Sequence, residues 1–206
     1  MVAVEIEIET PHGVAKAHVE AVGGARAVIV LGHGAGGGIH APDLTAAAHV
    51  ARSLGIATAL VEQPYRVAGK KAPAPARQLD AAWIAVIEHL RAGGLHGLPL
   101  IAGGRSSGAR VACRTAEATG AIGVLCLAFP LRPPRREGRE PAPSRLPELE
   151  AVTVPVLIVQ GVRDPFGMPD AAAGRTVVAV EGDHGLKSDR ATVAEAIAIW
   201  LSALVS

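Results

Sequence analysis

Leu100-Ile-Ala-Gly-Gly-Arg-Ser-Ser-Gly-Ala-Arg110 joins an apolar run to a segment of helical character. Leu98 to Ala102 predicts a buried strand, and Ser107 to Thr119, closed by Gly120, predicts a helix. Between them Gly104-Arg105-Ser106-Ser107-Gly108 fits G-x-S-x-G, a sharp strand-to-helix turn that presents a serine hydroxyl above a sheet. Flanking glycines let the strand and helix approach without Cβ clashes, while the serine takes a strained backbone conformation. The helix start behind it offers free N–H groups and a positive dipole end, both suited to an oxyanion. Ser106 is therefore a candidate nucleophile. With 24 glycines in the chain the motif can arise by chance, so its weight comes from its placement between strand and helix.

On either side of this turn the pattern is strand–helix alternation. Val2 to Glu9 and Gly13 to Glu20 alternate around Thr10-Pro11-His12-Gly13 and predict an antiparallel hairpin. Ala25 to Leu31 is a continuous apolar run, followed by Gly32-His33-Gly34-Ala35-Gly36-Gly37-Gly38 and a helix from about Pro42 to Leu54. Further strands are expected at Ile56 to Val61, Ala121 to Ala128, Val154 to Val159 and Arg175 to Val180. Leu79, Trp83, Val86, Ile87 and Leu90 follow helical spacing up to Gly93-Gly94. Ile197, Trp200, Leu201 and Leu204 line a last helix, capped by Ser188 or Asp189. The pattern predicts an α/β class: a mostly parallel sheet with an N-terminal hairpin and helices on both faces. Gln63 to Arg77 and Leu131 to Glu150 read as loops. The mixed charge of the second favours a solvated surface loop over a flap whose arginines meet an anionic substrate.

A serine hydroxyl needs a base, and the base needs a group to orient it. On this type of sheet the partners follow in the order Ser, Asp or Glu, His. Asp164 comes just after the strand ending at Val159, and His184 just after the strand ending at Val180. Both fall at carboxyl ends of strands, where sites on parallel sheets gather. Asp183 competes as the acid, but adjacent side chains rarely point so that one binds the other's ring, which favours Asp164. A tetrahedral intermediate also needs two N–H donors. Ser107, next to the nucleophile, is the expected first donor, and Ala35 in the glycine-rich loop the second, with His33 bracing that loop.

Composition limits the alternatives. The 206 residues suit one domain, 1–206, with ample core. No apolar run approaches the length of a membrane span, and the N-terminus lacks the pattern of a signal peptide, so a cytoplasmic protein is expected. Cys113 and Cys126 read as small core residues in a reducing compartment. A net charge of +1 and 2% aromatics argue against nucleic-acid binding. His12, His18, His33, His40 and His49 show no metal-ligand spacing, and no cofactor is expected.

Taken together, Leu31-Gly-His-Gly-Ala-Gly-Gly, Gly103-Gly-Arg-Ser-Ser-Gly-Ala-Arg, Ala128-Phe-Pro-Leu, Gln160-Gly-Val-Arg-Asp-Pro-Phe-Gly and Gly182-Asp-His-Gly-Leu-Lys resemble the α/β-hydrolases. The chain is most similar to the dienelactone-hydrolase-like branch, within it to the Tex-type and KANSL-type hydrolase-like proteins. The resemblance implies a Ser106–Asp164–His184 triad and a metal-free, ester-type hydrolase acting on a small acyl substrate. Serine stands where dienelactone hydrolases carry cysteine, and no large cap is inserted between Phe129 and Val154. Selection then falls to short loops, where Arg66, Lys70 and Lys71 are candidates to meet an anionic substrate.

Two rival readings are carried alongside. Gly32-x-Gly34-x-x-Gly37 after a strand, with Glu62 ending the next, fits a dinucleotide fingerprint. Against it, Gly38 to Ala41 separate those glycines from the helix, and the Ser106, Asp164 and His184 loops go unexplained. The other rival is a catalytically inactive hydrolase fold serving as an interaction module.

Overall fold

The computed structural model describes residues 3–134, 138, 140 and 142–206. Met1 and Val2 at the start of the expected hairpin lie outside the described residues, as do Arg135, Arg136, Glu137, Arg139 and Pro141 of the expected loop.

Eight strands form one sheet in the order β1-β2-β4-β3-β5-β6-β7-β8. β1 (Val4–Thr10) and β2 (Gly13–Glu20) are the antiparallel hairpin, and β2 pairs antiparallel with β4 (Ile56–Glu62). The rest is parallel: β3 (Ala27–Gly32), β5 (Leu100–Arg105), β6 (Gly123–Leu127), β7 (Val156–Gly161) and β8 (Arg175–Val180). From β3 the chain passes to β4 on one side and later to β5 on the other. Loops leaving the carboxyl ends of β3 and β5 therefore part from one another and open a crevice between them.

The fully buried strands explain their own sequences. In β3, Val28 and Val30 point into one core and Ala27, Ile29 and Leu31 into the other, so the strand is apolar throughout. Helices α3 (Ala76–Ala92) and α4 (Ser107–Thr119) cover the first face around Trp83 and Phe129. Helices α1 (Pro42–Ser53) and α6 (Arg190–Leu204) cover the second around Leu44, Leu125 and Ile197. Asp189 caps α6, its carboxylate accepting the Thr192 N–H at 3.2 Å. Cys113 on α4 and Cys126 on β6 are both buried thiols, 3.5 Å apart.

Two expected loops contain structure. α2 (Pro64–Val67) lies within 63–77, and α3 begins there at Ala76; α5 (Leu146–Glu150) closes 131–150. Pro64 and Pro147 sit in the first turns of α2 and α5, where the missing N–H costs nothing and the fixed φ suits a helix. One-turn helices are also too short to show a period. Glu148 of α5 accepts the Arg110 Nε–H at 2.8 Å, and Asp80 accepts the Arg114 Nε–H at 2.8 Å, fastening α5 and α3 to α4. The remaining described part of 131–145 closes on itself, with the Arg145 N–H donating to Leu131 O and its guanidinium to Pro130 O. Among the described residues no cap is inserted on the sheet, and no helix is long and apolar enough to cross a membrane.

Candidate active site

Ser106 stands between β5 and α4 with φ 53° and ψ −110°, its N–H held by Leu127 O of β6 at 2.9 Å. Such a conformation strains any residue with a Cβ. Only two other described non-glycine residues have positive φ, Ala128 (50°) just past β6 and Leu186 (49°) beside His184. All three lie at the carboxyl edge of the sheet. The turn is tight enough to exclude side chains on either side. A Cβ on Gly104 would lie 2.5 Å from Gly32 O, and one on Gly108 would run into the same peptide.

His184 follows β8, and its Nε2 lies 2.9 Å from Ser106 Oγ. Its Nδ1 lies 2.8 Å from Asp164 Oδ2. With a carboxylate as acceptor, Nδ1 carries the proton, which leaves Nε2 free to accept the serine O–H. Asp164 is fixed in turn. Its side chain is fully buried, its Oδ1 accepts the Phe166 N–H at 2.9 Å, and its Oδ2 also accepts the Gln160 amide at 2.8 Å. The Phe166 ring lies against the imidazole, with centroids 4.5 Å apart. Asp183, the rival acid, is exposed and accepts the Gly185 N–H of its own loop at 2.8 Å. Asp164, then, is the carboxylate that reaches the ring.

The glycine-rich loop leaves β3 and lies against the serine, since a Cβ on Gly34 would be 3.4 Å from Ser106 Cβ. His33 is buried and holds this loop. Its Nε2 accepts the Gln63 N–H at 3.1 Å, so Nδ1 bears the proton and donates to Gly34 O at 2.8 Å. Gly34 O also accepts the Gly37 N–H. With that carbonyl turned toward His33, the trans peptide turns the Ala35 N–H the opposite way. The Tyr65 hydroxyl donates to Ala35 O at 3.0 Å and fixes the next peptide. Ser107 opens α4, so its N–H has no acceptor within the helix. Burial holds His33 below the usual imidazole range, so the ring stays neutral in its bracing role.

Several contributors to the site carry only faint sequence signals. Gln160 is one: its amide also donates to Gly167 O at 2.9 Å, and its sole mark in the sequence is a lone amide in an otherwise apolar strand. Tyr65 and Phe166 sit among loop residues with no period to mark them. Of the candidate anion-binding residues, Lys70 lines a cavity of about 240 Å³ together with His12 and Gln78. That cavity shares Gln63, Tyr65 and Leu79 with a smaller one touching Ser107. The dinucleotide reading fares poorly. α1 starts only at Pro42, well past the glycines, and Glu62 is engaged by His18 Nε2 at 2.9 Å.

A family model described as an alpha/beta hydrolase domain matches residues 25–203. The chain belongs to the alpha/beta hydrolases. Among solved structures, this hydrolase is similar in fold to Est1E from Butyrivibrio proteoclasticus, with TM-score 0.77 and 14% identity over 98% of each chain. It is similar to a dienelactone hydrolase from Anabaena variabilis, with TM-score 0.76 and 16% identity over 98% of this chain and 97% of that one. It is also similar to XC6422 from Xanthomonas campestris, described as an α/β serine hydrolase without lid, with TM-score 0.69 and 21% identity over 97% and 95%. No curated protein matches this hydrolase in sequence.

Proposed function

We propose that this hydrolase cleaves a small ester, thioester or lactone through an acyl-enzyme on Ser106. The observation that carries this reading is the unbroken chain of contacts Asp164 Oδ2, His184 Nδ1, His184 Nε2, Ser106 Oγ, at 2.8 and 2.9 Å. In the proposed mechanism Ser106 Oγ attacks the carbonyl carbon as its proton passes to His184 Nε2. The oxyanion that forms is held by the Ala35 and Ser107 N–H groups and by the α4 dipole. Collapse expels the alcohol or thiol, which takes the proton from His184. Water then gives a proton to His184 as it attacks the acyl carbon, and the second intermediate collapses with that proton passing from His184 to Ser106 Oγ, releasing the acid and restoring the enzyme. Asp164 keeps the ring in the right tautomer and stabilises its cationic form.

The neighbours support the same reaction class. One is a dienelactone hydrolase, and a structure of Est1E holds ferulic acid. Absence of a cap favours compact substrates gripped by short loops, and Lys70 at the nearby cavity favours an acyl group bearing a carboxylate.

The test is hydrolysis of matched neutral and anionic esters and lactones by the wild type and Ser106→Ala. The wild type is expected to turn over these substrates, anionic ones with the higher kcat/KM at low salt, and the advantage shrinks as salt screens the charge. Ser106→Ala is expected to stay folded and lose turnover. Full activity in that variant would remove Ser106 from the mechanism, and equal rates for both ester classes would remove the charge preference.

A further inference from the structure

Arg105 occupies the variable position between Gly104 and Ser106, and its guanidinium faces three separate elements. Nε lies 2.8 Å from Asp43 Oδ2 in the first turn of α1. Nη2 donates to the backbone carbonyl of His184 at 2.8 Å. Nη1 lies close against the glycine-rich loop, 3.1 Å from where a Cβ on Gly34 would sit. The Asp43 side chain is fully buried and that of Arg105 is 19% exposed. Burial holds the Asp43 carboxyl above the usual carboxylate range, and the Arg105 charge opposes that only in part. Oδ1 accepts the Leu44 N–H at 3.0 Å, whereas Oδ2 receives no well-directed hydrogen bond among the described residues. Despite its short distance, the contact with Arg105 is thus ionic rather than directional.

A buried ion pair is weak evidence of stability, because desolvation offsets most of the attraction. The contacts of this one point to a different role. We propose that Arg105 is a positioning residue, holding the His184 loop and the Gly34–Ala35 loop in register with Ser106 while Asp43 neutralises and aims its guanidinium. This inference rests on the serine-hydrolase reading above. Arg105 touches no reacting atom; it acts through the backbone of its neighbours. A planar fork with five fixed donors reaches acceptors on separate elements at once, whereas a lysine presents its three donors from a single compact charge.

The experiment compares wild type, Arg105→Lys, Arg105→Ala and Asp43→Asn by ester-hydrolysis kinetics and by the rate of Ser106 labelling with a fluorophosphonate, folding being checked by circular dichroism melts. Displacing reacting groups by about 1 Å costs on the order of 100-fold in rate. Arg105→Lys and Asp43→Asn are expected to lose about 10- to 100-fold in kcat and in labelling rate, with KM nearly unchanged. Millimolar guanidinium is expected to restore part of the kcat of Arg105→Ala, which a loss of folding would not allow. Should Arg105→Ala fail to fold, the lysine and asparagine variants still decide the matter. A labelled wild type with folded Lys and Asn variants of undiminished kcat would overturn this inference alone. A folded wild type that resists labelling would overturn it together with the reading on which it rests.

Discussion

Ser106, Asp164 and His184 meet because each side chain is held by groups of its own. Ser106 keeps its positive φ through the Leu127 carbonyl, and such a conformation costs about 1–3 kcal/mol, which the surrounding sheet must offset. Asp164 is locked by Gln160 and the Phe166 N–H before it meets the imidazole. An asparagine at 164 would keep the shape but stabilise the wrong tautomer, so Asp164→Asn is expected to lower kcat on the order of 10⁴-fold. Asp183→Asn, which alters an exposed loop contact, is expected to leave kcat within about twofold. The reverse pattern in steady-state kinetics would make Asp183 the acid. His33 supplies a pH dependence. Its folded pKa is depressed by burial, so above about 6.5 neither folded nor unfolded ring is protonated and its contribution to stability is complete. As pH falls below that value the unfolded chain takes up a proton that the folded ring refuses, and stability declines until the lowered folded pKa is reached. Melting temperature is thus expected to drop more between pH 7.5 and 5.5 in the wild type than in His33→Gln. Identical drops would show that His33 is not buried neutral. At this scale the sequence exposed the three polar residues but not Gln160, Tyr65 or Arg105, whose roles depend on partners far away in the chain.

At the scale of elements, the β5–Ser106–α4 turn works because backbone lies against backbone. Gly108 of α4 packs on the Gly32 peptide at the end of β3, where the glycine-rich loop begins. The pairing of β3 with β5 thus brings the proposed oxyanion donors to the nucleophile. Gly108→Ala is expected to cost about 1–3 kcal/mol of stability by overpacking, read as a lower urea midpoint, and to slow serine labelling as well. An unchanged midpoint would mean that α4 and the end of β3 are not held so closely. The bounds of α4 were legible to the residue, because the G-x-S-x-G turn ends at its first residues and Gly120, in a left-handed conformation, closes it. The one-turn helices α2 and α5 were not, because their prolines resemble breakers until the helix they start is seen. α5 is held by Leu149 in the core and by Glu148 bridging to Arg110 and Arg114, and the second of these, a contact between charged residues, leaves no hydrophobic period.

For the molecule as a whole, the central strands are buried on both faces, and their continuous apolar runs made the parallel sheet readable before any contact was known. Strand order was less visible, since it depends on which runs pair. The serine, aspartate and histidine loops were read without it, from the chain order Ser, Asp, His at the ends of three strands, β5, β7 and β8. His184 and Ser106 remain half-buried and open to a reagent of modest size. The most direct test of the central claim is the intact mass of wild type and Ser106→Ala after incubation with a fluorophosphonate. One phosphonyl adduct per wild-type chain and none on folded Ser106→Ala are expected. A folded wild type that stays unlabelled, or an equally labelled Ser106→Ala, would contradict the claim.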